Sequence, residues 1–246
     1  YFFETSGWRA TYTGIGLFCA AAMLALAFAL RRKPPALEAA SQGMSFVRSE
    51  RPLGMSPNAL MVLLVIAGVG CCVAMSMPQV HIVAYSSDLG HGAARGAQML
   101  SLMLGFGVVS RLASGWVCDR IGGRRTLLLG SSLQALALVL FLPFDGLASL
   151  YIVSALFGLF QGGIVPAYAV IVREFFPPEE AGVRVGTVLM ATVFGMALGG
   201  WMSGVIFDLT GSYQAAFLNG ILWNLLNLAI AVGLLRGPRR PVEQPL

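Results

Sequence analysis

The chain has 246 residues, of which 57% are hydrophobic and only 11% are charged, and its net charge is +5. About a quarter of the residues of an ordinary soluble domain are charged, so this composition excludes a typical soluble protein. The apolar content also argues against a nucleic-acid-binding protein. A small basic excess on such a chain is typical of loops that face an anionic cytoplasmic leaflet, which indicates an integral membrane protein.

Seven apolar segments are long enough to cross a bilayer, for which a helix needs about 20 mostly apolar residues. Glycine and proline inside these segments, such as Pro78 and Pro166, are tolerated in a membrane bundle, where small residues let backbones approach closely. The runs are continuous, which excludes the short alternating strands of a barrel. The predicted spans are residues 8–30, 59–81, 97–117, 126–144, 149–172, 184–206 and 214–235.

The basic residues divide unequally between the two sides of the predicted bundle. Thirteen of the sixteen Lys and Arg residues follow spans one, three, five and seven, whereas only Arg9 and Arg95 lie on the other side and Arg111 lies within a span. Basic residues accumulate on the cytoplasmic side of membrane proteins. The pattern predicts a multi-pass protein of the plasma membrane, in the simplest case a bacterial inner membrane, with an external start and a cytoplasmic C-terminus.

Residues 31–57 form a connection unlike the others, since the segment is long, basic and rich in proline. A long linker after one span, followed by six closely connected spans, predicts a domain boundary. We expect residues 1–30 to be the last helix of one unit, residues 31–57 a cytoplasmic linker, and residues 58–246 a six-helix unit with a short cytoplasmic tail. Within the linker, a short surface helix over 36–50 and a mobile coil are both open.

A charged turn follows the third span, with the sequence Gly-Trp-Val-Cys-Asp-Arg-Ile-Gly-Gly-Arg-Arg over residues 115–125. Its side chains carry both charge signs, and Gly122 and Gly123 permit a tight reversal. A basic turn that obeys the charge rule explains the arginines. It does not require Gly115 and Asp119 at this spacing.

Every defined position of this turn matches G-x-x-x-D-[RK]-x-G-x-[RK]-[RK], and the chain therefore resembles the major facilitator superfamily of secondary transporters. In that family the signature lies between helices two and three and recurs between helices eight and nine. The resemblance implies an all-α, twelve-helix bundle in which this chain supplies seven transmembrane helices from helix six onward, partnered by a preceding N-terminal six-helix half. It also implies a cytoplasmic gate, in which the aspartate meets a neighbouring helix end and the arginines pair across the face in one access state. The gating residues are Gly115, Asp119, Arg120, Gly122, Arg124 and Arg125.

Arg111 is the one charged side chain that the sequence places well inside a predicted span. An intramembrane arginine is costly and marks a functional site by default, although its long side chain can also extend to the headgroups. Residues 110–119 resemble the eighth helix of monocarboxylate transporters and of the oxalate:formate antiporter group. The resemblance implies that Arg111 binds the substrate carboxylate.

Two departures from those families bear on the cargo. Gly107 stands where proton-coupled monocarboxylate transporters have an acid, and residues 184–206 contain no lysine such as the oxalate exchanger has in its eleventh helix. Because one cation fits one carboxylate better than two, we expect a monocarboxylate or a similar small organic anion.

Further substrate-binding candidates lie in the second and fifth spans. His81 binds substrate or takes a proton near neutral pH in one interpretation, and in the other it is hydrogen-bonded at the membrane interface. The second-span set is Gln79, His81 and Tyr85, near the external end. Gln161 and Tyr168 flank a stretch softened by glycine and proline, which predicts either a cavity lining or close packing. Asn219, Asn224 and Asn227 are expected to join helices.

The expected function is transport of a small organic anion by alternating access, and no enzymatic activity, catalytic residue, metal ligand or cofactor is expected. The expected partners are the anion, the lipid bilayer and the N-terminal half, with no nucleic acid. Two alternatives are open. One is an exporter of drugs or sugars in which Arg111 is structural, and the other is a transporter-like sensor that binds without flux.

Overall fold

The computed structural model describes residues 2–29 and 52–236. Both stretches are helical and neither contains a strand, which confirms the all-α prediction. The predictions for the linker between residues 30 and 51 and for the tail after residue 236 lie outside the described residues. A short 3-10 turn at Pro52–Gly54 precedes the second helix. The helices are α1 (Phe2–Ala29), α2 (Pro57–Asp88), α3 (Ala93–Ile121), α4 (Gly123–Leu140), α5 (Leu147–Gln161), α6 (Ile164–Phe175), α7 (Pro178–Thr210) and α8 (Tyr213–Arg236).

Six candidate spans in the described ranges are long and apolar enough to cross a membrane. They are α1, α2, α3, α7, α8 and the segment Leu147–Phe175, which combines α5 and α6. The predicted span 126–144 corresponds to α4, which is not among the six. This helix has only 18 residues, and arginines and hydroxyl and amide side chains interrupt its apolar sequence. Residues 2–29 and 52–236 thus form seven long helical segments, as in a multi-pass membrane protein.

The fifth predicted span, residues 149–172, is broken into two helices. A turn at Gly162 and Gly163 separates α5 from α6. Pro166 has no N–H to donate to the Gly162 carbonyl four residues earlier, and the two glycines lower the helical propensity at that point. Pro78 removes one backbone donor from α2 in the same way, but α2 continues through it to Asp88.

Contacts group the chain into two compact units, one holding α1 and the other holding α2–α8. The side chains described along α1 are mostly apolar and mostly exposed, as in Phe18 at 75%. In the second unit α2 is the central helix. It packs most extensively on α7, then on α8 and α3, while α3 packs on α5 and α4 packs on α8.

Glycines set how closely neighbouring helices of the second unit approach. A Cβ placed on Gly158 of α5 would lie 2.3 Å from the backbone oxygen of Met103 on α3. A Cβ on Gly199 of α7 would lie 2.5 Å from the backbone oxygen of Val73 on α2. Helices in a membrane associate through such small residues, because lipid is as apolar as a leucine side chain.

We expect Gly158→Ala to destabilise the full-length protein, because the new methyl group meets backbone atoms that cannot rotate away. Overpacking of this kind costs about 1–3 kcal/mol. Gly233→Ala is the matched control, since Gly233 is also helical and a Cβ there meets nothing within 4 Å. Thermal unfolding in detergent should show a lower midpoint for the first variant only. Equal midpoints for the two variants would contradict the close-approach argument.

Candidate functional site

Arg111 lies on the exposed side of α3. It has no hydrogen bond or ion pair to any residue of the two described ranges. Ten residues separate it from the end of α3 at Ile121, which places its Cα about 15 Å from that end. Its neighbours at i−4 and i+3, Gly107 and Ser114, lie against Gly158 of α5 and Gly163 of the α5–α6 turn. The guanidinium group therefore lies beside the α3–α5 contact. Its N–H groups donate to no residue in the described part of the chain.

His81 lies on α2, at a different depth from Arg111. It is seven residues before the end of α2 at Asp88, about 10 Å, whereas Arg111 is 18 residues into α3, about 27 Å from the start of that helix at Ala93. Since the α2–α3 turn joins these two helix ends, the two residues differ in depth by about 17 Å. The structure does not bring the two predicted cationic groups together.

The imidazole of His81 contacts α7. Its Nε2 lies 3.1 Å from the carbonyl oxygen of Gly200 in a half-buried position. A carbonyl oxygen can only accept, so Nε2 carries the hydrogen and donates it, which leaves Nδ1 as the basic atom of the neutral ring. This geometry is compatible with His81 as a substrate or proton site, and also with His81 as a hydrogen-bonded residue at the membrane interface.

The other second-span candidates have different surroundings. Tyr85 is buried in an aromatic cluster, with ring centroids 4.9 Å from Tyr213 and 5.7 Å from Phe217. Gln79 is half-buried. The cluster joins the last turns of α2 to the first turn of α8, and it explains the position of Tyr85 by packing alone.

The fifth-span candidates both lie in the interior. Tyr168 is fully buried, and its hydroxyl donates to Oδ1 of Asn227 on α8 over 2.8 Å. Gln161 is 4% exposed, and no described residue pairs with its Oε1. In this conformation neither side chain is exposed to a ligand, and Tyr168 already has a hydrogen-bond partner.

The signature turn is built around Gly122, whose φ of 83° lets α4 begin directly after α3 ends. Asp119, Arg120 and Arg125 are exposed. The guanidinium carbon of Arg120 lies 3.7 Å from the ring centroid of Trp116, one turn earlier on the same helix. Asp119 and Arg125 therefore remain accessible on the surface of the unit.

Arg124 is the arginine of this turn that contacts other helices. Its Nη1 donates to the carbonyl oxygen of Leu234 near the end of α8 over 3.1 Å. Its Nη2 lies 3.9 Å from Oε1 of Glu174 on α6, and its guanidinium carbon lies 5.2 Å from the Phe175 ring centroid. A cation at a helix C-terminus is favoured by the helix dipole. Arg124 therefore joins α4, α6 and α8, a contact that the sequence alone does not identify because all three turn arginines look equivalent.

Sequence reasoning also missed two buried polar residues of α4, Ser131 and Gln134. Nδ2 of Asn227 donates to Oγ of Ser131 over 2.8 Å, and Nδ2 of Asn224 donates to the Ser131 carbonyl over 3.1 Å. The available signal was their spacing of three residues, which places both on one face of α4. Asn224 and Asn227 join helices as expected, whereas Nδ2 of Asn219 has no partner among the described residues.

No group of three or more His, Cys, Asp or Glu side chains that could hold a metal ion occurs in residues 2–29 and 52–236. The described part of the chain therefore offers a guanidinium group, an imidazole, amides and hydroxyls as its candidate ligand-binding groups.

The family model of the Major Facilitator Superfamily matches residues 1–149 and 99–246. The chain belongs to this family. A crystal structure of an auto-inhibited POT family peptide transporter has a similar fold, with a TM-score of 0.59 and 19% sequence identity over 76% of this chain and 39% of that chain.

Curated relatives have names that indicate transporters of several cargoes. Monocarboxylate transporter 13 of Rattus norvegicus is 31% identical over 144 residues, which is 58% of this chain and 34% of the relative. Probable anion transporter 5 of Arabidopsis thaliana is 29% identical over 54% of this chain and 31% of the relative. Multidrug export protein EmrB of Haemophilus influenzae is 27% identical over 52% of this chain and 26% of the relative.

The matches span about a third or less of the length of these three relatives. They confirm the resemblance to monocarboxylate and anion transporters, and they identify a multi-pass membrane protein of a transporter family rather than an enzyme.

We expect Arg124→Ala to lower the unfolding midpoint of the full-length protein, because it removes the hydrogen bond to Leu234 and leaves the last carbonyls of α8 without this donor. A hydrogen bond to a charged group contributes about 1.5–3 kcal/mol, and partial exposure of Arg124 places the loss at the low end. The neighbouring exposed arginine provides the control, as Arg125→Ala. If both variants unfold alike, Arg124 does not hold the three helix ends together.

Proposed function

We propose that the protein is a secondary transporter of a small organic anion, most simply a monocarboxylate, that works by alternating access. Arg111 binds the substrate carboxylate, and residues 115–125 form part of the gate on the cytoplasmic side. The whole transporter includes an N-terminal six-helix half that faces this unit. The C-terminus lies in the cytoplasm, and the membrane is the plasma membrane.

The observation that carries this proposal is the position of Arg111. Its side chain is exposed, it lies inside the span Ala93–Ile121, and no residue of the described ranges neutralises it. Placing arginine at the centre of a membrane helix costs about 2.5–3.5 kcal/mol on the insertion scale, so such a residue faces protein or a water-filled cavity. An anion that enters the cavity supplies the missing charge.

The chemistry of guanidinium suits a carboxylate. Its N–H groups form a planar fork that donates two parallel hydrogen bonds to the two oxygens of one carboxylate. A single such cation matches a substrate with one carboxylate. The relatives named as monocarboxylate and anion transporters support the same class of cargo.

The coupling of transport to a driving ion depends on groups other than Arg111. In the described spans, Asp and Glu residues lie at helix ends rather than at the depth of Arg111. If protons drive uptake, His81 takes one at Nδ1 while Nε2 stays bonded to Gly200, or the proton binds in the N-terminal half.

A second candidate function is export of drugs, which the similarity to a multidrug export protein supports. In that case Arg111 has a structural role and its side chain extends to the headgroups, as the exposed apolar neighbours Val108 and Leu112 permit. The two functions differ in whether anion flux requires Arg111.

We expect Arg111→Ala in the full-length protein to reduce anion uptake on the order of 100-fold, since losing one partner of a buried charge pair costs about 2–5 kcal/mol. Arg111→Lys should also fail, because an ammonium group cannot form the two-point contact. Arg173→Ala is the control, since Arg173 is an exposed arginine near the end of α6. Uptake by purified protein in liposomes is the measurement. Unchanged uptake by Arg111→Ala at normal expression would refute the clamp.

Competition experiments should identify the cargo. We expect lactate, pyruvate and formate to reduce uptake of a labelled monocarboxylate more strongly than oxalate does, because a single guanidinium leaves a second carboxylate unpaired. Export of hydrophobic cations with no response to these anions would favour the drug exporter. Saturable anion binding without flux in proteoliposomes would instead indicate a sensor.

A further inference from the structure

Four buried polar side chains form a ladder between α4 and α8. Ser131 and Gln134 lie one turn apart on α4, and Asn227 and Asn224 lie one turn apart on α8. All four are 0% exposed. We call this set the polar ladder. Because buried polar groups in a membrane protein require partners, each hydrogen-bonding atom of the ladder can be assigned in turn.

The first rung of the polar ladder is paired through the Asn227 amide. Nδ2 of Asn227 donates to Oγ of Ser131 over 2.8 Å, and Oδ1 of Asn227 accepts from the Tyr168 hydroxyl over 2.8 Å. Both functional atoms of the Asn227 amide are therefore used. This rung connects α4, α6 and α8 without any further group.

The second rung is paired only through its amide nitrogens. Nε2 of Gln134 donates to the Cys71 carbonyl on α2 over 3.2 Å, and Nδ2 of Asn224 donates to the Ser131 carbonyl over 3.1 Å. The two amide oxygens, Oε1 of Gln134 and Oδ1 of Asn224, are buried and have no partner among the described residues.

These two oxygens belong to the same level of the bundle. In an α-helix the carbonyl of residue i points toward residues i+3 and i+4, so the Ser131 carbonyl lies at the level of Gln134. Asn224, which donates to that carbonyl, lies beside Gln134. The helix register thus places both residues at one level of the α4–α8 contact, and neither amide oxygen accepts a hydrogen bond from a described residue.

Exchanging the positions of the oxygen and nitrogen in either amide does not give both oxygens a partner. If the amide of Asn224 were turned over, its oxygen would face the Ser131 carbonyl. If the amide of Gln134 were turned over, its oxygen would face the Cys71 carbonyl. Each reversal replaces one unpaired acceptor with a direct contact between two acceptors. A separate donor is needed.

We propose that one internal water molecule binds between α4 and α8 and donates its two hydrogens to Oε1 of Gln134 and Oδ1 of Asn224. Internal waters typically make two to four hydrogen bonds to otherwise unsatisfied buried groups. A metal cation fits less well, because only neutral oxygens are present and burying an ion without an opposing charge is costly. The water completes the second rung and makes the α4–α8 contact independent of any substrate.

The direct test is a structure of the full-length protein at a resolution that shows ordered water. We expect one spherical density peak within hydrogen-bonding distance of both amide oxygens. A Gln134–Asn224 contact with no peak between them would overturn the proposal.

A double-mutant cycle tests the bridge in solution through the unfolding midpoint. The variants are Gln134→Leu, Asn224→Leu and their combination. A shared water couples the two residues favourably. The unfolding midpoint of the double variant should therefore fall by less than the sum of the decreases in the two single variants. Without the water the two oxygens repel each other. Each single substitution would then remove this repulsion from the remaining residue. The unfolding midpoint of the double variant would therefore fall by more than the sum of the two single decreases.

Two controls complete the experiment. Gln214 is exposed on α8 and lies ten residues from Asn224, about 15 Å along the helix. Gln214→Leu combined with Gln134→Leu should be additive. The midpoint of the wild-type protein should be equal in sodium, potassium and choline chloride. A rise with sodium or potassium alone would assign the site to a cation and overturn the assignment to water.

Discussion

In hydrocarbon, two helices gain little from burying apolar side chains against each other, so their association depends on how closely their backbones can approach. The second unit meets this constraint at Gly158 and Gly199, where a single added methyl group would meet backbone atoms. α3 is held against α5 and α7 against α2 at these points. The positions of Arg111 and of His81 follow from these two helix pairs, because each residue lies on a helix that such a contact fixes.

The sequence predicts the features that depend on length and composition. Seven apolar segments and their order are visible because a bilayer demands about 20 apolar residues per helix. The turn at residues 115–125 is recognised through its resemblance to the family signature. The break at Gly162 and Gly163 was only partly predictable. Glycine and proline lower the helical propensity there, but Pro78 shows that a proline alone need not interrupt a helix. Whether the helix breaks also depends on the tertiary contacts of α5 and α6.

The roles of individual polar residues were less predictable. Tyr168 and Tyr85 looked like substrate-binding residues because both are polar groups in apolar spans. In the structure the Tyr168 hydroxyl donates to Asn227 and the Tyr85 ring packs on Tyr213. Arg124 looked equivalent to Arg125, but only Arg124 reaches the end of α8. Which partner a side chain finds depends on residues far away in the sequence, and spacing within one helix does not contain that information.

Polar groups in this protein divide according to whether the described fold satisfies them. The hydroxyl of Tyr168 and both amide atoms of Asn227 are paired within the bundle, and their energetic role is to fix helices against one another. Arg111 has five donors and no partner in the described ranges. The described fold gives such a cation no packing role, and this is why we propose that Arg111 binds a group from outside this unit.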